Sequence, residues 1–138
     1  MAQRGRGELG LATLLAGLSP RLAPGEFVFC TLAGAAYGDA AGLAPLAAFA
    51  EEEGLTLVAP LERAAAAGHA CDQPMRCITL GVHSSLEAVG LTAAVAAALA
   101  ARDISANVIA AYHHDHVLLP VNEGNRAIAV LEQLSRNV

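Results

Sequence analysis

A chain of 138 residues, 55% of them hydrophobic and with a formal charge of −5, has room for one compact domain or two very small ones sharing a core. Aromatic residues make up only 4%, with no Trp, so the chain lacks the basic patch and the stacking platform that nucleic acid demands; nucleic-acid binding is excluded. No stretch approaches the ~20 apolar residues of a membrane span.

In chain order, residues 1–8 read as a frayed Gly- and Arg-containing start. Residues 9–18 read as a short amphipathic helix rather than a signal peptide, because Glu8 interrupts the basic start and SPRLAPGE offers no clean cleavage site. A turn at Pro24-Gly25 leads to EFVFCTL, a strand over 26–32. A Gly-rich loop at 33–42 precedes a predicted short helix at 43–53, then a strand at 55–59. Pro60 fits the first turn of a helix over 61–68, which Gly68 closes, and HACDQP is a linker. The second half predicts a strand at 76–83, a helix at 85–101, strands at 105–112 and 116–121 joined by a tight His-Asp turn, and a last helix at 123–135.

The halves resemble each other. Helix 9–18, strands 26–32 and 55–59 and helix 61–68 follow the same order as helix 85–101, strands 105–112 and 116–121 and helix 123–135. GLTLVAPLERAAA has the texture of DHVLLPVNEGNRA, an apolar strand with a proline near its end and then a helix containing Arg. Strands 26–32 and 116–121 are apolar on both faces and need cover on both sides. Helices supply one cover; the tandem repeat or a homodimer is expected to supply the other. Cys30, Cys71 and Cys77 cannot all pair within one chain and form no CxxC, so free thiols in a reducing cytoplasm are expected.

The chemistry concentrates at HSSLEAVG, where a strand gives way to a helix. Ser84 and Glu87 have the spacing of a capping box at a helix starting at Ser84. Gly90 then falls in the second turn, where glycine costs ~1 kcal/mol against alanine and invites a reason, such as close approach of a ligand or of a neighbouring backbone. The N–H groups of a helix start are a seat for a small anion or zwitterion.

VFCTL, EGLTLV, HSSLEAVGLTAAV, ISANVIA and HDH together resemble the ACT domain, a small βαββαβ ligand-binding module. Over residues 9–135 the chain is similar to the stand-alone tandem ACT proteins, which resemble the regulatory domains of aspartate kinases. The resemblance implies an α/β sandwich of two ferredoxin-like ACT units, 9–70 and 75–135, each an antiparallel sheet with helices on one face. It implies a non-catalytic regulatory protein that binds a small molecule, an amino acid, through His83, Ser84, Ser85, Leu86, Glu87, Ala88, Val89 and Gly90, opposed by Asn107, Val108 and Ile109. One departure stands out: an ACT unit ends in a fourth strand, and the sequence runs out after the last helix. A strand borrowed between halves, or an intertwined arrangement, reconciles that.

His113-His114-Asp115-His116 suggests a metal site, but neighbours in a strand point to opposite faces, and two ligands from one hairpin do not close a site even with His83 added. No metal and no cofactor is expected, with His83, His114 and His116 the candidates should one bind. There is no Gly-x-Ser-x-Gly elbow, P-loop or dinucleotide fingerprint, and Ser84 and Ser85 beside His83 lack a third partner, so no enzyme is expected. The alternatives to a ligand-binding module are a structural or protein-interaction module whose glycine serves packing alone, and a His-dependent metal-binding protein.

Overall fold

The structure, a computed structural model, describes residues 10–138, so the expectation for residues 1–8 lies outside the described residues. It contains seven strands and four α-helices among the described residues: α1 (Leu11–Ala16), β1 (Pro20–Leu22), β2 (Phe27–Leu32), β3 (Ala47–Glu51), β4 (Gly54–Pro60), α2 (Leu61–Ala66), β5 (Met75–Leu80), α3 (Leu91–Ala100), β6 (Asn107–Ala110), β7 (Asp115–Pro120) and α4 (Gly124–Arg136). The pairs β1–β5, β2–β4, β2–β5, β3–β4 and β6–β7 are antiparallel. The fold is mixed α/β, as the sequence implies. The chain divides into two compact units, residues 10–24 with Arg76–Val138, and Gly25–Met75.

In the first unit, β5 sits between β1 and β7, and β6 lies beyond β7. Pro20, Arg21 and Leu22 pair with Leu80, Thr79 and Ile78. The strand β1 thus occupies the place that the fourth strand of βαββαβ would fill; it comes from the N-terminal segment, not from the end of the chain. Sequence reasoning passed over β1 because SPRLAPGE reads as a break; a proline at the first residue of a strand on the sheet margin is tolerated. One face of this sheet carries α1, α3 and α4. On α3, Leu91, Val95 and Leu99 recur every four residues and are buried, while Thr92 and alanines fill the rest of the helix. On α4, Ala127, Val130 and Leu131 make the matching stripe. These side chains meet Leu14, Leu18, Ile78, Leu80, Val117 and Leu119 in one core. Asp103, in the left-handed region at φ 59°, ends α3 and lets the Ile104 N–H reach the Leu99 carbonyl at 3.0 Å.

The second unit orders its strands β3–β4–β2, and Phe27 of β2 also pairs with Met75. Its core is smaller: Val28, Ala40, Leu43, Leu55, Leu57, Ala59 and Ala64. The predicted helix at 43–53 is absent. In its place stand a single 3-10 turn, Ala41–Leu43, and the strand β3. AAFAEEE favours helix locally, but Ala47 to Glu51 pair in unbroken register with Val58 to Gly54, and that ladder overrides propensity. Gly54 turns the hairpin at φ 151°; a Cβ there would stand 2.8 Å from the Leu32 carbonyl oxygen.

The internal repetition therefore aligns differently from the sequence reading. β2, β3, β4 and α2 match β5, β6, β7 and α4, and where α3 stands the second unit has only the 3-10 turn Ala41–Leu43. The likeness of GLTLVAP to DHVLLPV is structural: Pro60 and Pro120 hold nearly the same backbone angles, φ −55°, ψ 133° and φ −54°, ψ 143°, each ending a strand and opening a helical turn.

Candidate functional site

The helix of HSSLEAVG starts later than its capping pattern predicts. Residues 81–90 are an irregular loop, and α3 begins at Leu91. The Ser84–Glu87 capping box does not form; instead the Glu87 N–H donates to the Ser85 hydroxyl at 3.0 Å and the Ala88 N–H to the Ser85 carbonyl at 3.0 Å. These local bonds offer the backbone an alternative to helix. Gly81 begins the loop by approaching Ser19 closely, with its N–H on the Ser19 carbonyl at 2.9 Å.

Gly90 is the residue just ahead of α3, at φ 102°, a conformation that side chains resist. Its requirement is a backbone one, not a second-turn vacancy. The space above it is occupied, because a Cβ would stand 3.2 Å from Cδ2 of Leu11.

Beside Gly90 lies a cavity of about 150 Å³, lined by Ser84, Ser85, Leu86, Ala88, Gly90, Leu91, Thr92, Ala110 and Asp115. It joins the loop, the start of α3 and the β6–β7 hairpin. The first bond inside the helix runs from Ala94 N–H to the Gly90 carbonyl, so the amides before it precede the helical ladder and carry the positive end of its dipole. On the other side is Asp115, only 7% exposed. Burial raises its pKa, while the neighbouring His116 and His114 pull it down. A cavity with hydroxyls and amides at one side and a buried carboxylate at the other suits a small molecule carrying both an anionic and a cationic group.

Sequence reasoning missed Asp115, Thr92 and Ala110. Asp115 was read as a turn residue, yet it begins β7, paired with Ala110 and on the same side of the strand as the buried Val117 and Leu119. That two-residue alternation was the available signal. Of the expected contacts, Ser84, Ser85, Leu86, Ala88 and Gly90 line the cavity. His83, Glu87 and Val89 do not, and Val89 is exposed. Asn107, Val108 and Ile109 do not line it either. Val108 packs into the first unit's core, whereas Asn107 and Ile109 lie opposite Leu118 and His116 on the other face.

His83, His113 and His114 approach one another, with ring centroids 5.3, 6.2 and 6.3 Å apart, and Tyr112 meets His113 edge-on at 5.0 Å. The Val82 carbonyl, 3.2 Å from His114 Nδ1, can only accept, so that nitrogen carries the proton. His116 points elsewhere: its Nδ1 is 3.0 Å from the Thr79 hydroxyl, and burial lowers its pKa. Among the described residues no group of three His, Cys, Asp or Glu side chains is arranged to hold a metal ion.

A wider hollow of about 750 Å³ lies in the second unit between α2 and residues 39–43. It is open to solvent, and two of its charged groups are engaged: Arg63 donates to the Gly42 carbonyl at 3.0 Å, and Asp39 accepts from the Ala36 N–H at 2.8 Å. The smaller cavity beside Gly90 is less open and is lined by hydroxyls and a buried carboxylate.

Family models described as ACT domain match residues 6–76 and again 73–133. A Vibrio cholerae protein of unknown function, described as a possible transport protein, is 47% identical, with a TM-score of 0.81 over 91% of this chain and 95% of that one. Aspartokinase alpha and beta subunits share the fold at 14% identity and a TM-score of 0.61, over 87% of this chain and 98% of that one. The ligand-free regulatory subunit of aspartate kinase from Thermus thermophilus does so at 10% identity and 0.59, over 86% and 98%. No curated protein matches the chain. Among the described residues no helix is long and apolar enough to cross a membrane.

Proposed function

The chain belongs to the ACT-domain family, in tandem, and from that premise we propose a non-catalytic regulatory protein that binds an amino acid in the cavity beside Gly90. The ligand carboxylate sits at the loop 84–90 and the amides opening α3, and its ammonium pairs with Asp115. The observation that carries this reading is Asp115: a buried carboxylate facing a cavity costs desolvation that an ammonium offsets. The likeness to aspartate kinase regulatory subunits supports the regulatory role. At about 150 Å³ the cavity takes roughly five waters' worth of volume, which favours small amino acids. Binding acts by differential affinity for two packings of the protein.

The two repeats run over 9–70 and 75–135, a division by sequence equivalence rather than by compactness. The protein works as a homodimer in the cytoplasm, in keeping with its three free thiols. Leu11 against Gly90 favours a second reading, a packing module without ligand.

A thermal-shift panel of the twenty amino acids at millimolar concentration separates the two. One or more should stabilise the protein, by ~2.7 kcal/mol at a hundredfold excess over Kd. Asp115→Asn should remove that response. A flat panel with the native chain leaves the packing module.

A further inference from the structure

Three cysteines allow three pairings, and the structure singles out one of them. Cys30 and Cys71 both belong to the second unit, both are half-buried, and both pack against the same core. Cys77 belongs to the first unit, on β5, and is only 1% exposed. The backbone brings the first two to one place. Along β2, Val28, Cys30 and Leu32 turn to the core while Phe29 and Thr31 between them are exposed. After α2 the chain reverses, with the His69 N–H donating to the Ala64 carbonyl at 3.0 Å. Cys71 Sγ then stands 3.4 Å from the His69 carbonyl oxygen and 4.0 Å from that of Leu61, the residue that opened the helix. The returning segment runs beside β2, since Ala70 and Asp72 line a cavity of about 180 Å³ together with Val28 and Phe29. Cys71 lies between Ala70 and Asp72, and Cys30 is the next residue on Val28's side of the strand. Burial raises the pKa of the Cys30 thiol, and the charge that Cys71 can carry nearby raises it further. Residues 67–74 form neither helix nor strand, so joining the two sulfurs moves a linker and leaves the sheet in place.

We propose that Cys30 and Cys71 are a reversible redox pair, open as two thiols in a reduced medium and closed as a disulfide when the surrounding thiol pool is oxidised. Disulfides in reducing compartments take this transient form. The oxidant is a small-molecule disulfide such as glutathione disulfide. Cys71, as thiolate, attacks one of its sulfurs, forms a mixed disulfide and expels one glutathione thiolate, which takes up the proton Cys71 gave. Cys30, as thiolate, then attacks Cys71 Sγ and expels the second glutathione, which takes up the other proton. Two protein thiols are oxidised to one disulfide, and one glutathione disulfide is reduced to two thiols. The bond ties the linker after α2 to β2 and closes about forty residues into a loop, which removes freedom from the unfolded chain. It lies wholly within the second unit and does not depend on the ligand reading of the first.

The test uses the full chain. Arg21, Arg63, Arg76 and Arg102 put each cysteine on its own tryptic peptide. The folded protein is treated with glutathione disulfide, remaining thiols are alkylated in denaturant, and the peptides are mapped without reduction. Peptides 22–63 and 64–76 should appear joined and lighter by two hydrogens, with Cys77 alkylated. The oxidised chain should melt at least about 5 °C above the reduced one, and dithiothreitol should reverse both changes. Cys71→Ser should abolish the link and the melting shift, and Cys77→Ser should keep both. Glutathione left on Cys30 or Cys71 overturns the pairing, as does a link to Cys77, a link between two chains, or two thiols that stay open to alkylation. An oxidised chain that melts no higher than the reduced one overturns it as well.

Discussion

In the first unit β5 is followed by an irregular loop and a ten-residue helix, and in the second β2 is followed by a loop with a single 3-10 turn. The strands that come next match one for one, yet their surroundings differ. Two long helices and α1 cover the first sheet face and seal Val117 and Leu119. The second unit has a six-residue α2 with only Ala64 buried, and a bare edge strand. The contrast shows what the intervening helix contributes. Its amino end and the loop before it build a narrow, partly open cavity; without it the same strand plan keeps a wide hollow and a bare edge.

The sharpest way to break the comparison is to hollow each core. Leu119→Ala in the first unit should cost about 3–5 kcal/mol and Leu57→Ala in the second about 2–3, because a small, open cluster relaxes more readily around a lost side chain. Urea titrations read both, and equal losses would refute the claim that the units differ in packing. Next come the turns. Gly54→Ala should lose about 1–3 kcal/mol, since its Cβ would press on the Leu32 carbonyl. Gly34→Ala, at φ 71° with nothing within 4 Å, should lose about 1–2 kcal/mol from backbone strain alone.

At the cavity, Asp115→Asn should erase ligand-induced stabilisation without unfolding the chain. In the native chain, ligand affinity should fall on acidification from above the ordinary carboxylate range, because burial raises the Asp115 pKa. The smallest effect is a slope. The His116 pKa is lowered by burial, so the unfolded chain takes up that proton first. Its contribution is whole above the ordinary imidazole value of ~6.5 and is lost as pH falls through the lower folded value. Asp115 runs oppositely: its contribution is present below ~3.9 and is lost as pH rises through its raised folded value. His116→Gln should flatten the fall in stability just below pH ~6.5, as read by thermal melts across pH. An unchanged slope would show that His116 does not titrate with folding.

Sequence legibility followed the reach of the forces involved. Strands with dense apolar runs, β2, β4 and β7, and the amphipathic α4 were placed within two residues, because periodicity and proline record burial directly. β3 was illegible, since AAFAEEE declares helix locally and only a distant ladder makes it extended. β1 was hidden by two prolines, its pairing lying some sixty residues away. The site was half visible. HSSLEAVG marked the right loop, but Ser84 caps no helix, Ser85 bonds locally instead, and Gly90 serves its own φ angle. Asp115 was overlooked because a turn explains an aspartate as readily as a site does.

The pairing of Pro20–Leu22 with Ile78–Leu80 has a consequence for the growing chain. A ribosome delivers Gly25–Met75 as one continuous stretch, which can close on itself as soon as it emerges. Pro20–Leu22 must wait until Ile78–Leu80 has appeared, because those partners are made later. α1 and β1, made earlier than their partners, therefore settle later, and they are where a stalled or shortened product would expose apolar surface to chaperones.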